Sequence, residues 1–153
     1  MNTHIPFMER ALELAIQAGS LGEVPVGAVV VMDGVIVAEG YNRRELDASC
    51  LAHAELLALN HACQKLGRWR LSGATVYSTL EPCIMCAGAL LHARVDQLVY
   101  GAKDAKFGGI ESLYTLASDV RLNHRIKVVG NVLADESIAL LKDFFVALRT
   151  PIV

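Results

Sequence analysis

The 153-residue sequence predicts a three-layer α/β/α sandwich around a mixed five-stranded sheet. Three observations support this fold class. Two short Val-rich runs flank the dipeptide Asp33-Gly34, which favours the two-residue type I′ turn of a β-hairpin. Farther along, a helical pattern lies between two apolar runs, which is typical of a crossover between parallel strands. Four helical patterns in all can cover the two faces of the sheet.

The first part of the chain is predicted to form a helix and then the hairpin. Pro6 stands at a favourable first helical position, and apolar residues recur at helical spacing until Gly19. The hairpin strands are predicted at residues 26–32 and 35–39, which are rich in β-branched residues. The polar segment 40–52 has no periodicity, so it is predicted to be a loop.

Helices then alternate with short strands. A second helix is predicted over residues 53–66, with a buried face formed by Leu56, Leu57, Asn60 and Cys63. Parallel strands are predicted at residues 75–80 and 97–101, and a third helix over residues 82–93 connects them. After an irregular stretch, residues 126–129 are predicted to be the fifth strand.

A final helix is predicted to begin at Asp135, whose side chain is a favourable N-cap. Its apolar residues are spaced for one inward-facing side, which comprises Ile138, Leu141, Phe144, Phe145 and Leu148. The chain shows neither a linker nor an internal repeat, so we expect residues 1–153 to form a single domain.

Composition excludes several classes of protein. Hydrophobic residues make up 54% of the chain and charged residues 20%, which excludes intrinsic disorder. No apolar run approaches the roughly 20 residues of a membrane-spanning helix, and the first residues lack the features of a secretory signal. We therefore expect a cytoplasmic protein with reduced cysteines and no membrane partner. Because the net charge is -2, binding to nucleic acid would need a local basic patch.

Two short segments carry metal-ligand chemistry, and both lie at predicted helix starts. The first contains His53 and Glu55, and the second contains Cys83 and Cys86. Cysteines at positions i and i+3 share a helix face, and one tetrahedral zinc ion places two sulfurs about 3.8 Å apart. With His53 they make three protein ligands, which leaves an open position for water, as in catalytic zinc sites. Glu55 is the candidate general base.

The residues must also satisfy helix geometry. In a regular helix, residues i and i+2 point about 200° apart. His53 must therefore lie at the edge of its helix if both His53 and Glu55 are to approach the metal.

These two segments, His53-Ala54-Glu55 and Pro82-Cys83-Ile84-Met85-Cys86, resemble the signature of the zinc-dependent nucleoside and nucleobase deaminases. Further segments are similar to those of the bacterial tRNA-specific adenosine deaminases, over about residues 7–149 in total: 23–28, 42–43, 79–89, 101–106, 123–124 and 143–145. One departure is Ser49-Cys50-Leu51, where that family usually has Asp-Pro-Thr.

The resemblance implies a cytidine-deaminase-like fold and hydrolysis of adenosine to inosine at the wobble position of a tRNA anticodon. It also implies a homodimer with one Zn²⁺ per subunit, held by His53, Cys83 and Cys86. Glu55 takes the position of the proton shuttle, and Asn42 takes the position of a residue that contacts the target base. The expected partner is the anticodon stem-loop of a tRNA.

Other interpretations compete with this one. Cys83 and Cys86 alone are also compatible with a thioredoxin-like redox pair or with a structural zinc site closed by a fourth ligand. Within the deaminases, the alternative is a salvage enzyme of the guanine or cytidine type. The redox interpretation does not explain why His53 and Glu55 stand at a second helix start, and a structural zinc site would need a fourth ligand from Cys50, Cys63 or a remote histidine.

Candidate RNA contacts lie between residues 102 and 127, where basic residues are concentrated. We expect contacts at Lys103, Asp104, Lys106, His124 and Arg125. A solvated basic face is the alternative. Cys50 and Cys63 are interpreted as packing residues, and one ring of the Phe144-Phe145 pair is expected to be core and the other to stack on bases.

Overall fold

The computed structural model describes residues 2–149, so Met1 and residues 150–153 of the predicted domain lie outside the described residues. The elements are α1 (Ile5–Ser20), β1 (Gly27–Met32), β2 (Val35–Tyr41), α2 (Ala54–Leu66), β3 (Thr75–Leu80), α3 (Ile84–His92), β4 (Gln97–Ala102), a short 3₁₀ helix (Leu116–Ser118), β5 (Lys127–Val129) and α4 (Ala134–Arg149). The predicted order of helices and strands is confirmed, with the 3₁₀ helix as an addition.

The five strands form one mixed sheet in the order β2-β1-β3-β4-β5. β1 is antiparallel to both β2 and β3, whereas β3, β4 and β5 are parallel. Asp33 and Gly34 have φ values of 51° and 75°, as the predicted type I′ turn requires. The mixed sheet and the hairpin are therefore confirmed.

Helices cover both faces of the sheet. Successive residues of β1 point to opposite faces, so Val30 packs in the cluster that contains the buried residues of α2 and α3, and Val29 packs with α1. α4 contacts α1, β3 and β4, which places it on the α1 face. The predicted three-layer sandwich is confirmed. Among the described residues, no helix is both long and apolar enough to cross a membrane.

Small residues allow α2 to lie unusually close to the sheet. A Cβ atom at Gly40 of β2 would lie 2.5 Å from the Ala54 carbonyl oxygen and 2.8 Å from the Ala58 nitrogen. The buried face of α2 accordingly consists of Ala54, Glu55, Ala58, Leu59 and Ala62. The predicted face was wrong at Leu56 and Leu57, which are only half-buried, and at Asn60, which is exposed, because small side chains fit against the strand at this distance. Cys63 is partly buried against the core.

α4 differs from its prediction in two respects. The helix begins at Ala134, so Asp135 lies in its first turn and is not the N-cap. The expected inward packing is also wrong, because Ile138 and Phe145 are each 40% exposed and Leu148 is 69% exposed. The only buried residue of this helix is Ser137, whose hydroxyl donates to the Thr79 carbonyl at 2.6 Å. The apolar spacing therefore indicates a shared face but not what covers that face.

Candidate metal centre and active site

The starts of α2 and α3 meet at one pocket of about 820 Å³. His53 and Cys83 each occupy the N-cap position of their helix with an extended backbone, at φ/ψ of −79°/150° and −71°/177°. Because His53 precedes the first helical residue, its side chain and that of Glu55 both line the pocket. The position of His53 at the edge of its helix agrees with the geometric requirement stated above.

The three predicted ligand residues come together in this pocket. The His53 Nδ1 atom lies 3.6 Å from the Cys83 sulfur and 3.5 Å from the Cys86 sulfur. Bond lengths of about 2.05 Å to nitrogen and about 2.3 Å to sulfur place N and S about 3.6 Å apart around a tetrahedral zinc ion. Among residues 2–149, this is the one group of three or more His, Cys, Asp or Glu side chains close enough to hold a metal. The chain therefore has a His/Cys/Cys group that fits a metal ion.

The electrostatics of this group suit a cation. The hydrogen bond from Cys86, together with the one from His53, lowers the pKa of Cys83 to about 4, so one thiolate forms readily. The same hydrogen bond between the two sulfurs, together with burial, raises the pKa of Cys86. The hydrogen bond with Cys83 raises the pKa of His53. A metal cation between these atoms would replace the shared protons and allow both sulfurs to be thiolates.

Glu55 lies beside this group as a buried acid. Its side chain is only 4% exposed, and burial raises its pKa to about 7. A carboxyl group with a pKa near the working pH can both accept and return a proton. Its location and its pKa thus suit the role of general base that the sequence predicts.

Asn42 is held at the end of β2 by three hydrogen bonds. Its backbone N–H donates to Val26 at 3.0 Å, and its side-chain amide donates to the Val24 carbonyl at 3.2 Å. Its side-chain oxygen accepts from the backbone N–H of Arg44 at 3.2 Å. Because an Asn amide has two N–H groups, this arrangement orients the group and leaves a second N–H for a ligand in the pocket.

The predicted RNA-contact residues divide into two groups. Lys103, Asp104 and Lys106 line the pocket, in the loop that follows β4. His124 and Arg125 do not line it. His124 Nε2 instead lies 2.7 Å from the Val95 carbonyl oxygen, and Arg125 donates to the Val120 carbonyl at 2.7 Å. The structure thus brings only the first group to the metal-ligand residues.

Comparisons with known proteins agree with this geometry. The family model described as MafB19-like deaminase matches residues 1–149. A tRNA-specific adenosine deaminase of Bacillus subtilis is 47% identical over 143 residues, which cover 94% of this chain and 89% of that protein. The tRNA-specific adenosine deaminase of Haemophilus influenzae is 46% identical over 139 residues, which cover 90% of this chain and 80% of that protein. The chain belongs to the tRNA-specific adenosine deaminases.

Solved structures of both tRNA-specific adenosine deaminases and guanine deaminases resemble this chain. A tRNA A34 deaminase, studied for A-to-I editing at the wobble position of tRNA, superposes with a TM-score of 0.86 at 43% identity. It covers 89% of this chain and 99% of that one. A guanine deaminase of Nitrosomonas europaea has a TM-score of 0.80 at 28% identity, over 90% and 82% of the two chains. The fold is shared by both groups, but the sequence is closer to the tRNA-specific adenosine deaminases, and the protein is a hydrolytic deaminase.

The wall of the pocket contains two residues that the sequence analysis did not place there, Phe107 and Cys50. Phe107, in the loop after β4, is 65% exposed and lines the pocket together with Phe145 of α4. Cys50 is exposed and also lines the pocket, so its interpretation as a packing residue was wrong. Cys63 does pack against the core under α2. The sequence around Phe107 gave no signal for this position, because its exposure depends on how the loop after β4 folds.

Proposed function

We propose that this protein converts adenosine to inosine at the wobble position of a tRNA anticodon, with release of ammonia. The observation that carries the proposal is the His53/Cys83/Cys86 group beside the buried carboxyl of Glu55, in a chain of this family. The three ligands and one acid suit hydrolytic removal of an amino group from a base that has left its stack.

The roles of the residues follow from their positions. His53, Cys83 and Cys86 would hold one Zn²⁺ per chain, which supplies an acidified water as the nucleophile when it is bound. Glu55 accepts one proton from the attacking water and passes it to the purine ring, and it then moves the second proton of that water to the amino group, which leaves as ammonia. Its burial keeps competing bulk water away from these transfers.

Asn42 and the pocket wall would hold the target base. The second amide N–H of Asn42 is positioned to donate to an acceptor on the base or its ribose. Phe145 offers an aromatic face on which a base can stack. The volume of about 820 Å³ exceeds what one base ring needs, so we propose that neighbouring nucleotides of the loop also enter.

We propose that the anticodon stem-loop is the partner and that Lys103 and Lys106 contact its phosphates, with Asp104 beside them. Lys106→Ala should then reduce the slope of log affinity against log salt by about 1. Lys65→Ala, which alters an exposed lysine on α2, is the matched control and should leave the slope unchanged. His124 and Arg125 are proposed to contribute less, because their side chains already bond to backbone carbonyls. An unchanged slope for Lys106→Ala would count against this contact.

We further propose a homodimer, which would work with tRNA in the cytoplasm. Exposed apolar side chains lie at the start of α3 and on either side of the 3₁₀ helix that contacts α3, namely Ile84, Leu113, Tyr114, Val120 and Leu122. Apolar surface of this kind is typical of interfaces. Sedimentation of the purified protein should give twice the 16.5 kDa chain mass. A fully active monomer at micromolar concentration would contradict the dimer.

Substrate choice tests the function as a whole. We expect inosine from an anticodon stem-loop with adenine at the wobble position and no uracil from the same stem-loop with cytosine. Free adenosine should react far more slowly, because it lacks the remote contacts whose binding energy positions the base. Comparable efficiency on free guanine, cytidine or adenosine would instead indicate a salvage deaminase.

A further inference from the structure

Glu81 is a buried carboxylate whose partners are almost all backbone groups of one loop. It directly follows β3 and is 1% exposed. Oε1 accepts from the Asp104 N–H at 3.1 Å and from the Ser112 hydroxyl. Oε2 accepts from the backbone N–H groups of Ile110, Glu111 and Ser112 at 3.1, 2.8 and 2.9 Å. One side chain thus ties down both ends of the loop over residues 104–112.

The loop fits closely around this carboxylate. A Cβ atom at Gly108 would collide with the Glu81 carboxylate and would lie 2.6 Å from the Asp104 carbonyl oxygen. Gly109 donates to the Pro82 carbonyl at 2.8 Å, and Gly108 forms a bridge with Cys83. The part of the loop that faces the pocket therefore lies between points fixed to Glu81 and to the start of α3.

Glu23 repeats this arrangement on a second loop. It is also 1% exposed, and its Oε1 and Oε2 atoms accept from the backbone N–H groups of Glu45 and Leu46 at 3.0 and 2.7 Å. The next residue, Val24, accepts from the side-chain amide of Asn42. Glu23 and its neighbour thus hold both Asn42 and the loop that follows it.

The segments of the two loops that face the pocket have no buried side chains to fix their position, whereas Ile110, at the far end of the second loop, packs in the core. Within residues 43–51, no side chain is buried, and the same is true of residues 103–107. Among the ion pairs of residues 2–149, none includes Glu23 or Glu81. A buried charge without a cation is costly unless hydrogen bonds satisfy it, and bonds to a carboxylate are roughly twice as strong as neutral ones. The hydrogen bonds of these two carboxylates therefore serve mainly to fix the positions of the loops.

We propose that Glu23 and Glu81 are positioning residues, each of which holds with its carboxylate one of the two loops that line the pocket. Arg44 and Cys50 belong to the first loop, and the segment 103–107 belongs to the second. Because the loops are fixed before RNA arrives, binding does not need to order them. The consequence for RNA rests on the proposed function, whereas the anchoring of the loops does not.

The isosteric variants Glu81→Gln and Glu23→Gln test the proposal, with Glu9→Gln, an exposed carboxylate of α1, as the matched control. The amide group places N–H hydrogens against backbone donors. In Glu81→Gln the less costly orientation keeps the bonds at Oε2 and gives up the Asp104 N–H, since the Ser112 hydroxyl can turn. The main expected damage is therefore at the pocket end of the loop.

Amide hydrogen exchange, measured without RNA, tests directly whether each carboxylate holds its loop. In Glu81→Gln, the amide of Asp104 should lose protection while those of Glu45 and Leu46 keep theirs. In Glu23→Gln, the pattern should be reversed, and β4 amides should be unchanged in both variants. Loss of protection throughout the chain in either variant would overturn the proposal, because it would indicate a purely structural role.

Steady-state kinetics with the anticodon stem-loop as substrate measure how the anchoring of the loops affects RNA binding and turnover. At a temperature well below unfolding, we expect KM to rise on the order of 10-fold in both variants, with a smaller change in kcat and full metal content. Ser112→Ala keeps the carboxylate and should give a weaker effect at the same loop, which provides a milder variant if Glu81→Gln does not fold. Folded variants with unchanged exchange and unchanged KM would overturn the proposal. Failure of the wild type to deaminate the stem-loop would refute the function but leave the exchange test valid.

Discussion

Helices α1 and α4 each have 16 residues and lie on the same face of the sheet, but they bury very different surfaces. α1 buries six apolar residues, which are Met8, Ala11, Leu12, Leu14, Ala15 and Ala18. α4 buries only Ser137, although its sequence has the same helical spacing of apolar residues. α1 packs over the middle of the sheet, where Gly27 leaves room for its backbone, whereas α4 lies beside the pocket.

The difference separates two uses of an amphipathic helix. The apolar face of α1 packs against Val29, Val31 and Tyr77 and stabilises the fold. The apolar face of α4 contributes Leu141 and Phe145 to the pocket wall. The same pattern in sequence thus serves folding in one helix and the site in the other. Substitutions in the two helices should accordingly change different measured quantities.

The largest effect is expected in α1. Met8 is fully buried, so Met8→Ala should lower the free energy of unfolding by about 2–5 kcal/mol through lost contacts and a cavity. Denaturant unfolding measures the loss, and activity per folded molecule should not change. Ile16→Ala on the same helix is the control, because that side chain is 55% exposed and its loss should cost at most about 0.5 kcal/mol. Equal losses in the two variants would remove the distinction between the buried and exposed faces of α1.

Phe145→Ala in α4 should show the opposite pattern. Stacking of a base on an aromatic ring is worth about 1–3 kcal/mol, so kcat/KM on the stem-loop should fall about 5- to 150-fold. Stability should change by less than about 1 kcal/mol, since the ring is already 40% exposed. Leu148→Ala, on the same helix but outside the pocket wall, should change neither quantity. A stability loss as large as that of Met8→Ala, with activity retained, would make α4 a second folding helix.

The smallest effect is expected at the ion pair between Arg10 of α1 and Glu39 of β2. Among the described residues, α4 makes no ion pair with the sheet. Arg10 donates to both carboxylate oxygens of Glu39 at 2.5 and 3.0 Å, and this lowers the pKa of Glu39 below its usual 4.5. A lowered pKa adds stability above pH 4.5, which is lost as the pH falls through the folded pKa. Because the pair is partly exposed, its contribution should stay below about 1 kcal/mol.

Arg10→Met should therefore reduce the acid dependence of unfolding in this range. Thermal unfolding at pH 6 and at pH 3 measures it, with Arg149→Met in α4 as the control. The difference between wild type and Arg10→Met should be present at the higher pH and shrink at the lower one. A constant difference would show that Arg10 acts through packing of its stem and not through its charge.

Local signals predicted much of the fold. Asp33-Gly34 specified its turn because both residues tolerate positive φ, and the crossover from β3 to β4 followed from element order. The buried face of α2 was not predictable in this way, because it depends on the close approach to Gly40 of another element. The environment of α4 depends likewise on what lies next to it.

The residues of the site also divide into those that local sequence predicts and those that depend on distant parts of the chain. The meeting of His53, Cys83 and Cys86 in one group was predictable, because few kinds of side chain bind metals and the spacing of these residues is distinctive. The contribution of Phe107 was not, because it depends on a loop held by Glu81 through backbone N–H groups distant in sequence. Because almost every residue type has a backbone N–H group, the sequence does not show which residues donate such hydrogen bonds.

The central claim is that His53, Cys83 and Cys86 hold the metal while Glu55 moves the proton. Zinc content and inosine formation, measured on the same samples of Glu55→Gln and Cys86→Ala, test it most directly. Glu55→Gln should keep about one zinc per chain and lose turnover by at least about 10²- to 10⁴-fold, because an amide cannot accept the proton. Cys86→Ala should lose both metal and activity. Full activity in Glu55→Gln, or full zinc content and activity in Cys86→Ala, would contradict the claim.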